Sequence, residues 1–108
     1  MALTRDFRLT VIERAKRDPA YRKALLVEAM GALMNDEVGV GKSLLRDVVN
    51  ATLGFAELSK RTGIPDKSLQ RMLGPRGNPT ATNLFKLIAA LQRNERVVLE
   101  VRTRKSAA

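Results

Sequence analysis

The chain has 108 residues and contains neither cysteine nor histidine. Without cysteine there are no disulfides or thiolate nucleophiles, and without either residue the usual zinc sites are excluded. The lack of histidine also excludes imidazole acid–base chemistry. The adjacent carboxylates Asp36 and Glu37 have no base or metal partner nearby in the sequence, and no other residues have a recognisable catalytic spacing. We therefore expect no enzyme activity, no cofactor and no metal site.

Long apolar segments are also missing. No apolar run approaches the roughly 20 residues that a membrane-spanning helix needs. Residues 1–6 lack the apolar core of a signal peptide. These absences predict a cytoplasmic protein with no membrane partner, and one that is nucleoid-associated if it binds DNA.

Basic residues are abundant and unevenly distributed. Twenty lysines and arginines against eleven acids give a formal charge of +9. Residues 31–62 carry four residues of each sign, whereas residues 63–108 carry nine basic and three acidic residues. Such a surplus indicates a polyanionic partner, most often nucleic acid. The alternatives are a ribosomal protein, a membrane-surface protein or a basic protein without such a partner.

A helix-turn-helix pattern covers residues 55–73. Gly63 stands in the turn, where a left-handed backbone costs little only for glycine. Ser59 is small where two helices must approach closely, and Ile64 fills the turn. The inward positions are Leu58, Thr62, Leu69, Met72 and Leu73. Such a unit places one exposed helix in the DNA major groove; the alternative interpretation is an ordinary helical hairpin.

Apolar periodicity predicts four further helices around this motif. Thr4 is the expected N-cap of the first helix, and Asp18 with Pro19 marks the start of the second. Thr80 is the expected N-cap of the last helix. Residues 35–41, with two glycines and two acids, are predicted to form a loop. The predicted helices cover residues 4–16, 19–34, 42–52, 55–62, 66–73 and 81–92.

The segment Val97–Arg102 is rich in β-branched residues and alternates, which is typical of a short strand. An isolated strand is not stable. The segment therefore needs a partner, either its own copy in a dimer or a sheet edge on another protein. Residues 103–108 are predicted to form a disordered basic tail.

The run Gly41-Lys42-Ser43 resembles the end of a phosphate-binding loop. The full pattern needs a glycine where this chain has Asp36, and a buried strand where this chain predicts a helix. We therefore expect no nucleotide binding at this run.

Residues 63–80 resemble the addiction-module antidote proteins, also called prophage-type DNA-binding proteins, of the Cro/repressor helix-turn-helix class. The resemblance is most specific at Gly77-Asn78-Pro79-Thr80 with Leu84 four residues on. It extends upstream to residues 17–21 and downstream to the predicted strand, and so covers nearly the whole chain. Pro65 departs from the family because it occupies a helix N-cap position where serine or threonine is usual. Further departures are Gln70, Met72 and the glycine-rich residues 37–42.

The resemblance implies a five-helix Cro/repressor-type helix-turn-helix core. Together with the apolar periodicity, it predicts an all-α fold that adds an N-terminal helical extension and a short C-terminal β-strand to this core. The predicted division of the chain is the extension 1–36, the DNA-binding domain 37–96, and the strand and tail 97–108. The resemblance also implies a homodimer that represses its own operon. Frequently such a protein has a partner toxin that cleaves RNA or inhibits growth, as antitoxins of the host-inhibition type do.

Five residues near the start of the second motif helix are predicted to contact DNA. Lys67 and Arg71 lie four residues apart on one face, and both side chains suit guanine O6 and N7 in the major groove. Ser68 and Gln70 suit bases or phosphates. Asp66 either accepts from cytosine or caps the helix. The alternative is that all five are solvated surface.

A second group is predicted to position the DNA backbone. The N-terminus of the last helix offers backbone N–H groups to a phosphate, and nearby side chains add hydrogen bonds or charge. Such contacts set the register of the protein on DNA but do not read its sequence. The predicted phosphate contacts are Arg76, Asn78, Thr80, Thr82 and Lys86.

Three functions are open from the sequence. The first is a sequence-specific repressor of its own operon that is also an antitoxin, and the second is a prophage-type repressor without a toxin partner. The third is a protein-interaction module that has lost DNA binding and uses the helix from Pro19 and the strand from Val97. The charge surplus after Gly63 favours the first two. Because one recognition helix reads few base pairs, we expect a homodimer on double-stranded operator DNA, joined through the N-terminal helices or the strand.

Overall fold

The computed structural model describes residues 5–107, so the predicted cap Thr4 lies outside the described residues. The described chain forms six helices, which are α1 (Arg5–Arg17), α2 (Pro19–Met34), α3 (Val38–Ala51), α4 (Gly54–Thr62), α5 (Asp66–Met72) and α6 (Ala81–Glu95). The all-α class is confirmed for this part of the chain. None of these helices is both long and apolar enough to cross a membrane.

Two predicted helix starts have the expected caps. The Asp18 carboxylate accepts from the Tyr21 backbone N–H at 3.1 Å, and Pro19 follows in the first turn of α2. The Thr80 hydroxyl accepts from the Asn83 N–H at 3.2 Å at the start of α6. Each side-chain cap stabilises its helix by about 1 kcal/mol.

The predicted loop over residues 35–41 is wrong for its second half, because α3 already begins at Val38. The turn is short and places Asp36 in the left-handed region at φ 62°. Gly41 is buried inside α3, where a Cβ atom would lie 2.6 Å from Cγ of Leu33 in α2. The glycine therefore serves close packing of α2 on α3, and it does not mark a loop.

All six helices contribute to one hydrophobic core, so the core runs across the predicted boundary between residues 36 and 37. Fully buried leucines from α2 to α6 form its centre, and α1 adds Val11 and Ala15. The division of the chain into three domains stays a prediction. The largest fully buried side chains are Leu26, Leu45, Leu58, Leu69, Leu87 and Leu91.

Two ion pairs tie distant helices together. Arg22 of α2 pairs with Glu95 at the end of α6, and its guanidinium also donates to the Ala15 carbonyl of α1 at 2.9 Å. Arg8 of α1 pairs with the buried Asp47 of α3 at 2.5 Å. Burial raises the pKa of Asp47, and the positive charge of Arg8 opposes that rise.

The C-terminal segment after α6, residues 97–107, has no regular secondary structure. α6 continues to Glu95, beyond its predicted end at residue 92, and ends where Arg96 adopts φ 56°. The Leu99 N–H donates to the Gln92 side chain at 2.8 Å, while Val98 is 84% and Val101 76% exposed. The predicted strand is not formed within residues 5–107, because no second backbone lies beside it.

Candidate nucleic-acid interface

Helices α4 and α5 cover the segment in which the sequence predicts a helix-turn-helix unit. Gly63 has the expected left-handed conformation at φ 75°, and its N–H donates to the Ser59 carbonyl at 2.9 Å. The Ser59 hydroxyl donates to the Ile64 carbonyl at 2.6 Å. Ser59 therefore does more than leave space between helices, because it also holds the turn. Ile64 is buried in that turn.

The inner and outer faces of α5 are sharply divided. Leu69, Met72 and the following Leu73 are buried in the core. Since those side chains face inward, the remaining positions of α5 face solvent. Lys67, Gln70 and Arg71 are exposed, and Asp66 and Ser68 are half-buried.

The outer face of α5 carries one internal hydrogen bond. The Gln70 side-chain amide donates to the Asp66 carboxylate at 2.5 Å, which holds these two polar groups together across one helical turn. Pro65 occupies the N-cap position and provides no side-chain cap. Lys67 and Arg71 form no ion pair within residues 5–107. Both cations are thus available to an external anion.

The predicted phosphate contacts lie beside α5 in the chain. Arg76 and Asn78 are on the loop between α5 and α6, Thr80 is the N-cap of α6, and Thr82 and Lys86 follow in its first turns. All five are exposed. Thr80 already uses its oxygen to cap α6, so its hydroxyl hydrogen is what it can offer to a phosphate. We call the cations Lys67, Arg71, Arg76 and Lys86, together with their polar neighbours, the basic surface.

Sequence reasoning missed the residue that holds this loop in place. Lys42 of α3 is 5% exposed, and its ammonium donates to the carbonyls of Gly74 at 3.0 Å and Gly77 at 2.7 Å. A signal was available, because Lys42 lies three residues before the buried Leu45 and so falls on the inward face of α3. The interaction with a loop more than thirty residues away was not visible in the pattern.

Gly77 sets how closely this loop approaches α5. A Cβ atom at this position would lie 2.0 Å from the Arg71 carbonyl oxygen, far inside van der Waals contact. Only glycine therefore fits. Lys42 and Gly77 together place Arg76 and Asn78 next to the end of α5.

Comparisons of the chain with family models, with curated proteins and with solved structures found no match. The resemblance to the antidote family thus stays a prediction based on the residues quoted above.

Proposed function

We propose that this protein is a sequence-specific, double-stranded DNA-binding transcriptional regulator. The observation that carries the proposal is the two-sided α5, with an inner face buried in the core and an outer face that presents Lys67 and Arg71. Arginine and lysine pair with guanine O6 and N7 in the major groove. In this proposal these two side chains read bases, and Ser68 and Gln70 add base or phosphate contacts.

The rest of the basic surface positions the DNA backbone in this proposal. Arg76, Asn78, Thr82 and Lys86 are exposed along one stretch of chain that follows α5. Thr80 and the N-terminal N–H groups of α6 add donors, which is a common way to bind phosphate. Asp66 is held by Gln70 and keeps the outer face of α5 ordered.

The particular role that we propose is an antitoxin that represses its own operon. The resemblance of residues 63–80 to the antidote family supports this role. The alternative is a prophage-type repressor without a toxin. A module that has lost DNA binding is less well supported, because Lys67 and Arg71 lack ion-pair partners within the described chain.

A homodimer is part of the proposal, and an apolar groove supports it. Val27 and Met34 of α2 and Phe85 of α6 are more than half exposed. Leu99 and Val101 of the C-terminal segment also line this groove. Exposed apolar surface of this kind marks protein interaction sites.

Charge complementarity indicates a second copy of the chain as the occupant. If two copies of the segment pair antiparallel with Val101 opposite Val101, Glu100 lies opposite Arg102 of the second copy, and the reverse. One two-fold axis thus satisfies both charges. The pairing also supplies the missing neighbour for the predicted strand and presents two α5 helices to a two-fold operator.

The test is salt-dependent binding to the DNA upstream of the protein's own gene, measured against a shuffled duplex of equal length. Upstream binding that is tighter by about three or more decades supports the proposal. Equal, weak binding to both duplexes that fades steeply with salt contradicts it and leaves only a basic protein. Light scattering at tens of micromolar protein tests the dimer, and a monomer at that concentration contradicts that part.

A further inference from the structure

The described chain has a second positively charged surface that the helix-turn-helix unit does not include. Arg5 and Arg8 of α1 and Arg46 of α3 line an open cleft of about 960 Å³. Gly74 and Pro75, at the start of the loop after α5, also line it. We call this site the basic cleft. It adjoins the basic surface through this loop.

The charges of the basic cleft are only partly neutralised within the protein. Its one acid among the lining residues is Asp47, which is 3% exposed and already paired with Arg8. Arg5 and Arg46 are exposed and form no ion pair within residues 5–107. The buried ammonium of Lys42 adds positive charge from below. The site therefore favours an anion.

One face of α3 is shaped for close approach to the basic cleft. Gly39, Ser43, Arg46 and Asn50 follow one another at helical spacing and all line it. A Cβ atom at Gly39 would meet nothing within 4 Å, so the packing of the chain does not require glycine there. Gly39 is the second residue of α3, in its first turn. Its absence of a side chain leaves room at the cleft for a ligand.

We propose that the basic cleft binds phosphates of the DNA backbone beyond the segment that α5 reads. This inference rests on the proposed function, because Gly74 and Pro75 directly follow α5 in the chain and also line the cleft, so that the cleft adjoins the end of α5. Arg46 and Arg5 supply charge, and Ser43 and Asn50 supply hydrogen bonds. The contacts extend the footprint without reading sequence.

The test compares Gly39→Glu with Gly39→Ala on duplexes of two lengths. Gly39→Glu places a negative charge in the cleft where the structure has open space, and Gly39→Ala controls for the added side chain. We expect Gly39→Glu to weaken binding to a long duplex about tenfold or more and to lower the salt slope by about one unit. Binding to a duplex trimmed to the segment under α5 should change far less, and Gly39→Ala should match the unmodified protein on both.

Arg46→Ala and phosphate ethylation give an independent readout. Ethylation of the phosphates that flank the DNA segment under α5 should weaken binding by the unmodified protein. The same ethylation should have little effect on binding by the Arg46→Ala variant. If neither Gly39→Glu nor Arg46→Ala changes the affinity, the salt slope or the ethylation pattern on the long duplex, the inference is overturned.

The proposed function is judged separately, by the ratio of upstream to shuffled binding, which these variants should leave unchanged. An unmodified protein that binds both duplexes equally overturns the proposed function, while the same variants still decide whether the cleft holds phosphates.

Discussion

Two stripes of side chains on α6 expose opposite chemistry. Thr82 and Lys86, four residues apart, continue the basic surface, whereas the exposed Phe85 and the almost fully buried Ile88 line the apolar groove shared with α2. Cations without an ion-pair partner favour binding of a polyanion. Exposed apolar side chains favour contact with another protein surface. In the proposed function, α6 therefore contacts DNA with one stripe of side chains and a second copy of the protein with the other. If so, mutations should separate DNA binding from dimer formation.

The largest expected effect is on the anchor of the basic surface. Lys42→Met removes the two hydrogen bonds to the Gly74 and Gly77 carbonyls and leaves both without their donor. We expect a loss of about 1–3 kcal/mol in the free energy of unfolding, measured by urea denaturation. DNA affinity should fall as the loop loses its position, while the dimer persists. Lys23→Met, at an exposed position of α2, is the control and should change neither property.

Next is the base-reading role of α5. Arg71→Ala should reduce the preference for upstream over shuffled DNA by about 1–3 kcal/mol, since one bidentate contact to guanine is worth that much. Titrations of both duplexes at one salt concentration measure this ratio. Stability should stay within about 0.5 kcal/mol because Arg71 is exposed. An unchanged ratio would show that Arg71 does not read bases.

A substitution in the apolar groove should weaken the dimer directly, whereas Arg71→Ala should affect DNA specificity. Val101→Asp places a charge at the centre of the proposed strand pair, and we expect at least a tenfold weaker dimer, about 1.4 kcal/mol. Sedimentation over a concentration series measures the dissociation constant. Val98→Asp makes the same change on the opposite face of the proposed strand over residues 97–102. It should weaken the dimer less. Equal effects of the two variants would contradict the proposed pairing.

The smallest expected effect concerns Lys86. Lys86→Ala should weaken binding to upstream and shuffled DNA about equally and lower the salt slope by roughly one unit. Titrations at several salt concentrations measure the slope. If affinity fell for upstream DNA only, Lys86 would contact a base edge. It would then not be a backbone contact, as proposed.

The six helices were predictable from the sequence, whereas the start of α3 and the C-terminal strand were predicted wrongly, for different reasons. The expectation of a loop before Lys42 came from two glycines, which usually interrupt helices. Gly41 is nevertheless inside α3 because Leu33 leaves no room for a side chain there. The candidate site was predictable on α5, where burial alternates at helical spacing, but its anchor was not. The partner carbonyls of Lys42 lie on a loop that is distant in sequence.

Features that depend on neighbours a few residues apart follow from the amino-acid sequence alone. Asp18 and Thr80 start their helices, Gly63 makes the turn, and the spacing of apolar residues divides α5 into two faces. These rest on local hydrogen bonds, local backbone conformation and helical periodicity. The contacts by which Lys42 and Gly77 hold the loop beside α5, in contrast, depend on the tertiary structure. Those contacts arise when distant helices pack, and local patterns carry no information about which residues then meet.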